Sequence, residues 1–127
     1  MYTPSRVTIY EYSSFLPPSG QTAVQVAVDV TTFGYPAEAT AVELLLGCRS
    51  WADGGYVAAY DGTVAQSLDR IAVYPTTLMR NQWSMTRGRV ELEGSQFVLR
   101  IRPATSEPIE VIAVLKGYYV EPPPGGP

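Results

Sequence analysis

Residues 48–62 read CRSWADGGYVAAYDG and bring Cys48, Trp51, Asp53, Tyr56, Tyr60 and Asp61 into one short block. Tryptophan and tyrosine faces stack on sugar rings while an aspartate takes paired hydroxyls, so Trp51, Asp53, Tyr56 and Tyr60 form a candidate carbohydrate contact set. The same stretch also reads as a loop, with Gly54 and Gly55 supplying positive φ and Asp53 capping the turn. Farther on, Glu91 and Glu93 stand two residues apart. On a strand that spacing puts both carboxyls on one face, as an acid-base pair for glycoside hydrolysis would require. Arg87, Arg89, Arg100 and Arg102 belong to the same proposed hairpin, and a lattice of ion pairs, solvated or between subunits, explains that mixture more simply.

Composition narrows the chemistry. The 127 residues contain no histidine and a single cysteine, Cys48, so there is no imidazole base and no intrachain disulfide. No activating partner for a cysteine nucleophile is evident, and Cys48 reads as a small core residue. Asp61-Gly62 reads as a turn, because a calcium site wants several closely spaced oxygen ligands. The expectation is no metal, no cofactor and no enzymatic activity. Eight of the nine basic residues are arginine, yet the formal charge of -3 and the interleaved acids argue against nucleic acid as a partner.

Period-two alternation recurs in short runs separated by Gly, Pro, Asp and Ser, the pattern of strands joined by turns. Strands are expected near 6–12, 22–30, 40–49, 55–60, 68–74, 84–93, 96–102 and 109–120. In TAVQVAVDV, Val24, Val26, Val28 and Val30 point one way and Ala23, Gln25, Ala27 and Asp29 the other. In QFVLRIR, Phe97, Leu99 and Ile101 oppose Val98, Arg100 and Arg102. VELEGSQFVLRI is the best local hairpin, with Glu93-Gly94-Ser95 as its turn. The last run, IEVIAVLKGYYV, is apolar on both faces and should lie in a covered sheet or meet a neighbouring subunit. About eight short strands predict an all-β antiparallel sandwich, jelly-roll or immunoglobulin-like. Residues 1–21 are expected to be an N-terminal arm or a first strand with a loop, 22–120 the sandwich, and 121–127, EPPPGGP, a flexible tail.

Three groups of residues carry a family resemblance. They are Val28-Asp29-Val30 followed by Gly34-Tyr35-Pro36-Ala37 and Ala39-Thr40-Ala41-Val42 with Leu44 and Leu46; then Gly55-Tyr56-Val57 with Tyr60; and Val111 to Tyr119 at the end. In order and spacing, residues 22–120 resemble a β-sandwich repeat of bacterial cell-surface and secreted proteins, whereas residues 63–95 match it poorly. The resemblance implies an adhesion or display module and carries no catalytic motif. Similar sandwiches serve as decorations, spikes and fibre tips on phage particles.

The N-terminus has no apolar run after a basic stretch, so no signal peptide is expected, and no segment is long and apolar enough to suggest membrane insertion. The leading expectation is therefore a non-enzymatic structural or display protein on a phage-like virion surface. It would form a homo-oligomer, trimer or larger, touching other virion proteins through Arg87, Arg89, Arg100, Arg102, Tyr118 and Tyr119. The alternative is an extracellular or cell-surface adhesion module binding a host glycan through Trp51, Asp53, Tyr56 and Tyr60. A small glycoside hydrolase is the lesser alternative.

Overall fold

Alternation sets the faces, and pairing then stacks like on like. In β2 (Val24–Asp29) the inward valines Val24, Val26 and Val28 lie opposite Ile101, Leu99 and Phe97 of β7 (Gln96–Arg102), so each cross-strand pair on that face is apolar. The remaining strands are β1 (Tyr2–Phe15), β3 (Ala39–Ser50), β4 (Tyr56–Tyr60), β5 (Ile71–Val73), β6 (Ser84–Glu91) and β8 (Ile109–Val120). The computed structural model describes residues 1–16, 23–50, 55–63, 70–75, 81–103 and 108–121.

The strands form two four-stranded sheets, β1-β8-β3-β6 and β2-β7-β4-β5, with every pairing antiparallel. Every connection but that from β4 to β5 crosses from one sheet to the other. An immunoglobulin-like sandwich keeps more of its successive strands side by side, so this order is the jelly-roll wiring of two Greek keys. The choice between the two forms of sandwich, open in the sequence, is settled by strand neighbours.

The inner faces supply one core. Leu44, Leu46, Val90, Val111 and Leu115 from one sheet meet Val57, Phe97, Leu99 and Ile101 from the other, all fully buried. At one end the 3₁₀ turn Val30–Phe33 follows β2. Asp29 caps it by accepting from Thr31 N at 3.0 Å and from Thr31 Oγ1 at 2.6 Å, which holds the Asp29 carboxyl below the usual aspartate range. Gly34 ends the turn at φ 89°, and Tyr35 then enters the core edge, donating its hydroxyl to the Ser5 carbonyl and packing 4.9 Å from the Tyr118 ring.

Two expectations change. Gly94 and Ser95, at φ 57° and 66°, do make a tight turn, closed by Glu93 N to Gln96 O at 2.9 Å and Gln96 N to Glu93 O at 3.1 Å. It is not a sheet hairpin, because β6 and β7 belong to different sheets and the turn is a corner between them. The corner is held by Leu92 N donating to Thr40 O and Val30 N to Ser95 O, each at 2.9 Å. The first strand, expected over 6–12, runs from Tyr2 to Phe15 along β8, with register shifts at Pro4/Val7, Thr8/Tyr10 and Tyr10/Ser13. Its inward side adds Val7, Ile9, Tyr10 and Phe15 to the core. The bulges let a strand with polar residues at irregular intervals keep its apolar groups inside.

Candidate functional site

The outer face of the β1-β8-β3-β6 sheet holds the densest set of interacting side chains. In β3, Val42, Leu44, Leu46 and Cys48 point to the core, so Glu43, Leu45, Gly47 and Arg49 point out. Leu45 pairs with Val114 on one side and Arg87 on the other, and Gly47 pairs with Ile112 and Met85. Gly47 has no side chain, and the Met85 sulfur occupies the space a Cβ would fill. The result is an outward apolar strip of Leu45, Ile112, Val114 and Met85. Within it Val114 is only 3% exposed while Met85 is 44% exposed.

Charged and aromatic groups border this strip at both ends. Arg87 Nε lies 3.0 Å from Glu43 Oε1, and Arg89 Nε 2.8 Å from Glu91 Oε1. The Arg89 guanidinium sits 4.3 Å from the Tyr119 ring centre, and Tyr119 donates to Glu43 Oε2 at 3.2 Å and packs 4.9 Å from Tyr2. Burial, then donation to that carboxylate, pushes the Tyr119 hydroxyl up. At the other border Arg49 bonds Glu110 Oε1 at 2.5 Å and lies 5.2 Å from the Trp83 ring, against which Tyr12 packs edge-on at 5.5 Å.

The opposite outer face, on β2-β7-β4-β5, carries Tyr56, Tyr60 and Arg100. Ala58, Tyr60 and Val98 form a small cluster there with Tyr56 and Ile71 against it. Tyr56 packs edge-on to Tyr74 at 5.6 Å, and Tyr74 is 46% exposed. Tyr60 is 4% exposed, and burial pushes its hydroxyl up despite its hydrogen bond with Arg100. Trp51 and Asp53, the other half of the expected sugar-contact set, lie outside the described residues.

The expected arginine face therefore divides. Arg87 and Arg89 lie on one sheet and Arg100 and Arg102 on the outer side of the other, because the proposed hairpin is a corner. Tyr118 and Tyr119 also part: Tyr119 lies outside by Arg89, while Tyr118 packs on the core and Tyr35. Glu91 and Glu93 fall in separate contacts, Glu91 with Arg89 and Glu93 with Thr63 Oγ1 at 3.3 Å and Arg70 at 4.0 Å. Trp83, with Arg49 and Glu110, went unrecognised in the sequence. Its only signal was a tryptophan just before an alternating run.

Among the described residues no three Cys, Asp or Glu side chains come together as a metal-binding group. Cys48 is fully buried on β3, its Sγ 3.8 Å from Pro75 O, and burial pushes its thiol up to about 11. The expected result is no reaction with Ellman's reagent in the folded protein near neutral pH and one equivalent after denaturation. Rapid native labelling would contradict the enclosed position.

No family model and no curated protein matches the chain. Among solved structures it is similar to the Tobacco streak virus coat protein in its C2 crystal form, at 15% identity and a TM-score of 0.46, covering 95% of this chain and 91% of that one. It is also similar to the structure of the Tobacco streak virus coat protein dimer, at 13% identity and a TM-score of 0.45, covering 94% and 90%.

Proposed function

We propose that the chain is a non-enzymatic structural subunit of a virus particle, acting by contact between folded subunits. The observation that carries this reading is the outward apolar strip of Leu45, Ile112 and Met85 beside the covered Val114, bordered by Arg87, Arg89, Tyr119, Trp83 and Tyr12. An apolar centre with arginine and aromatic residues around it is the composition of a protein interface. Jelly rolls are a common architecture of viral shell subunits, which supports the reading by analogy of fold. The finer form is a surface component of a phage-like particle, a decoration, spike or tail part assembled as a homo-oligomer. The resemblance to bacterial display modules favours that setting.

The test is light scattering coupled to size exclusion over a range of concentration and salt. The wild type is expected as a trimer or larger. Ile112→Arg, which places a charge in the strip, is expected to weaken self-association roughly tenfold or more, equivalent to ~1.4 kcal/mol, with the circular dichroism unchanged. A wild type that stays monomeric at the highest attainable concentration would overturn the reading.

A further inference from the structure

A two-sheet sandwich has four edge strands, here β1, β6, β2 and β5. Each offers a row of unpaired N–H and C=O groups, and three of the four are blunted. β1 carries three register shifts, Pro4 and a Tyr12 at φ 52°. β6 is covered at its end, where Glu91 N donates to Asp61 Oδ1 at 2.8 Å and Glu91 O accepts from Gly62 N at 3.0 Å. Along its middle Gly88 faces β5 so closely that an added Cβ would lie 3.0 Å from Val73 Cγ2. β5 is three residues long.

β2 has none of these devices. It is six residues of strict alternation with an unbroken register to β7, and among the described residues nothing pairs with its other edge. Beside it a cavity of about 270 Å³, lined by Ile9, Tyr10, Val26, Val28 and Phe33 among others, lies between β1 and β2. Burial there pushes the Tyr10 hydroxyl up. Among the described residues, the sandwich is thus closed by contacts along β5 and β6 and open along β1 and β2.

We infer that two copies of the chain join through their β2 edges, antiparallel about a twofold axis, merging two four-stranded sheets into one of eight. The occupant follows from elimination, since among the described strands a second copy offers only its own β2 as an unblunted edge. Face parity then limits the register. Residues opposed across an antiparallel pair share a face, so Val24, Val26 and Val28 stay inside only if paired residue numbers sum to an even value. An axis at Ala27 sets Val26 against the partner's Val28 on the inner side. On the outer side it sets Gln25 against the partner's Asp29, amide donor against carboxylate acceptor, twice by symmetry. Ala27, exposed and small, meets its own copy on the axis, and the pairing covers the open side where the cavity lies.

This pairing rests on the assembly reading, and the experiment separates the two. Ala27→Lys places two ammonium groups together on the axis and leaves the exposed side of the folded subunit otherwise intact. It is expected to weaken self-association at least tenfold with unchanged thermal unfolding of the subunit. Ala27→Cys is expected to form an intermolecular disulfide under mild oxidation much faster than Glu38→Cys, an exposed site away from the edge, with the buried Cys48 giving no background. If the wild type self-associates but Ala27→Lys leaves its mass unchanged and the two cysteine variants cross-link alike, the β2 pairing is wrong and the assembly reading stands. A monomeric wild type overturns both.

Discussion

Phe97→Ala is expected to lower the free energy of unfolding by about 3–5 kcal/mol, a large part of the ~5–15 kcal/mol that holds a domain of this kind together. Phe97 heads the fully buried side chains by volume and lies on β7, an inner strand, opposite Val28. Its neighbours in the core come from both sheets, so the vacated space cannot be refilled by moving one loop. The loss combines the transfer of the ring out of water with the cavity left between sheets that remain held by their own ladders. The expected fall in melting temperature is about 10–20 °C for a chain of this length. Urea titration with an unchanged slope, compared with Phe97→Leu as the milder truncation, measures it. A loss below ~1 kcal/mol would mean that the two sheets do not close on this ring.

Alkaline conditions should act nearly as strongly. The Cys48 thiol is pushed from 9.0 up to about 11 and the Tyr35 hydroxyl from 10.0 up to about 12, in both cases chiefly by burial. Both groups hold their protons more tightly folded than unfolded. Their stabilising contribution is therefore complete below pH 9, falls once the unfolded thiol begins to ionise, and is gone above pH 12. Each group alone accounts for a loss on the order of 2 kcal/mol across its window. Tyr10, Tyr60 and Tyr119 shift in the same direction and add to the slope. Urea midpoints recorded from neutral pH upward should fall steadily beyond pH 9, and Tyr35→Phe should flatten the part above pH 10. A midpoint independent of pH over that range would rule out the buried, neutral forms of both groups.

Alternation was enough to locate the strands because valines at 24, 26 and 28 or Phe97, Leu99 and Ile101 have only one way to reach a core. It could not name each strand's neighbour. Period two fixes which side a residue faces and is silent on which sheet it joins, so Gly94-Ser95 read as a hairpin although its chemistry serves equally well at a corner. That one ambiguity divided the expected arginine face, sending Arg100 and Arg102 to the far side from Arg87 and Arg89. Tyr118 and Tyr119 parted for a simpler reason, since neighbours on a strand face opposite ways. The apolar strip was half legible: the two-faced character of β8 pointed to Ile112 and Val114, while the contribution of Met85 depends on Gly47 lying beside it on β3. Trp51 and Asp53 lie outside the described residues, and the sugar-contact set is represented only by Tyr56 and Tyr60 on one face.

The repeated crossing from sheet to sheet also governs how the chain reaches its fold. Among the described strands β4 and β5 are the only successive ones that pair, so almost no ladder of theirs can form from adjacent sequence. β1 must wait for β8, the last strand in the chain, before its backbone finds a partner. Loop-closure entropy has to be met many times before any contact returns it, placing the chain among the slow, millisecond-to-second folders. Throughout that interval the valine-rich β2 is an unpaired strand in solution, with β7, its partner among the described strands, still to come. The chain's exposure to misassembly is therefore greatest before β7 has arrived, and it falls on the strand that lies at the edge of its sheet in the finished subunit.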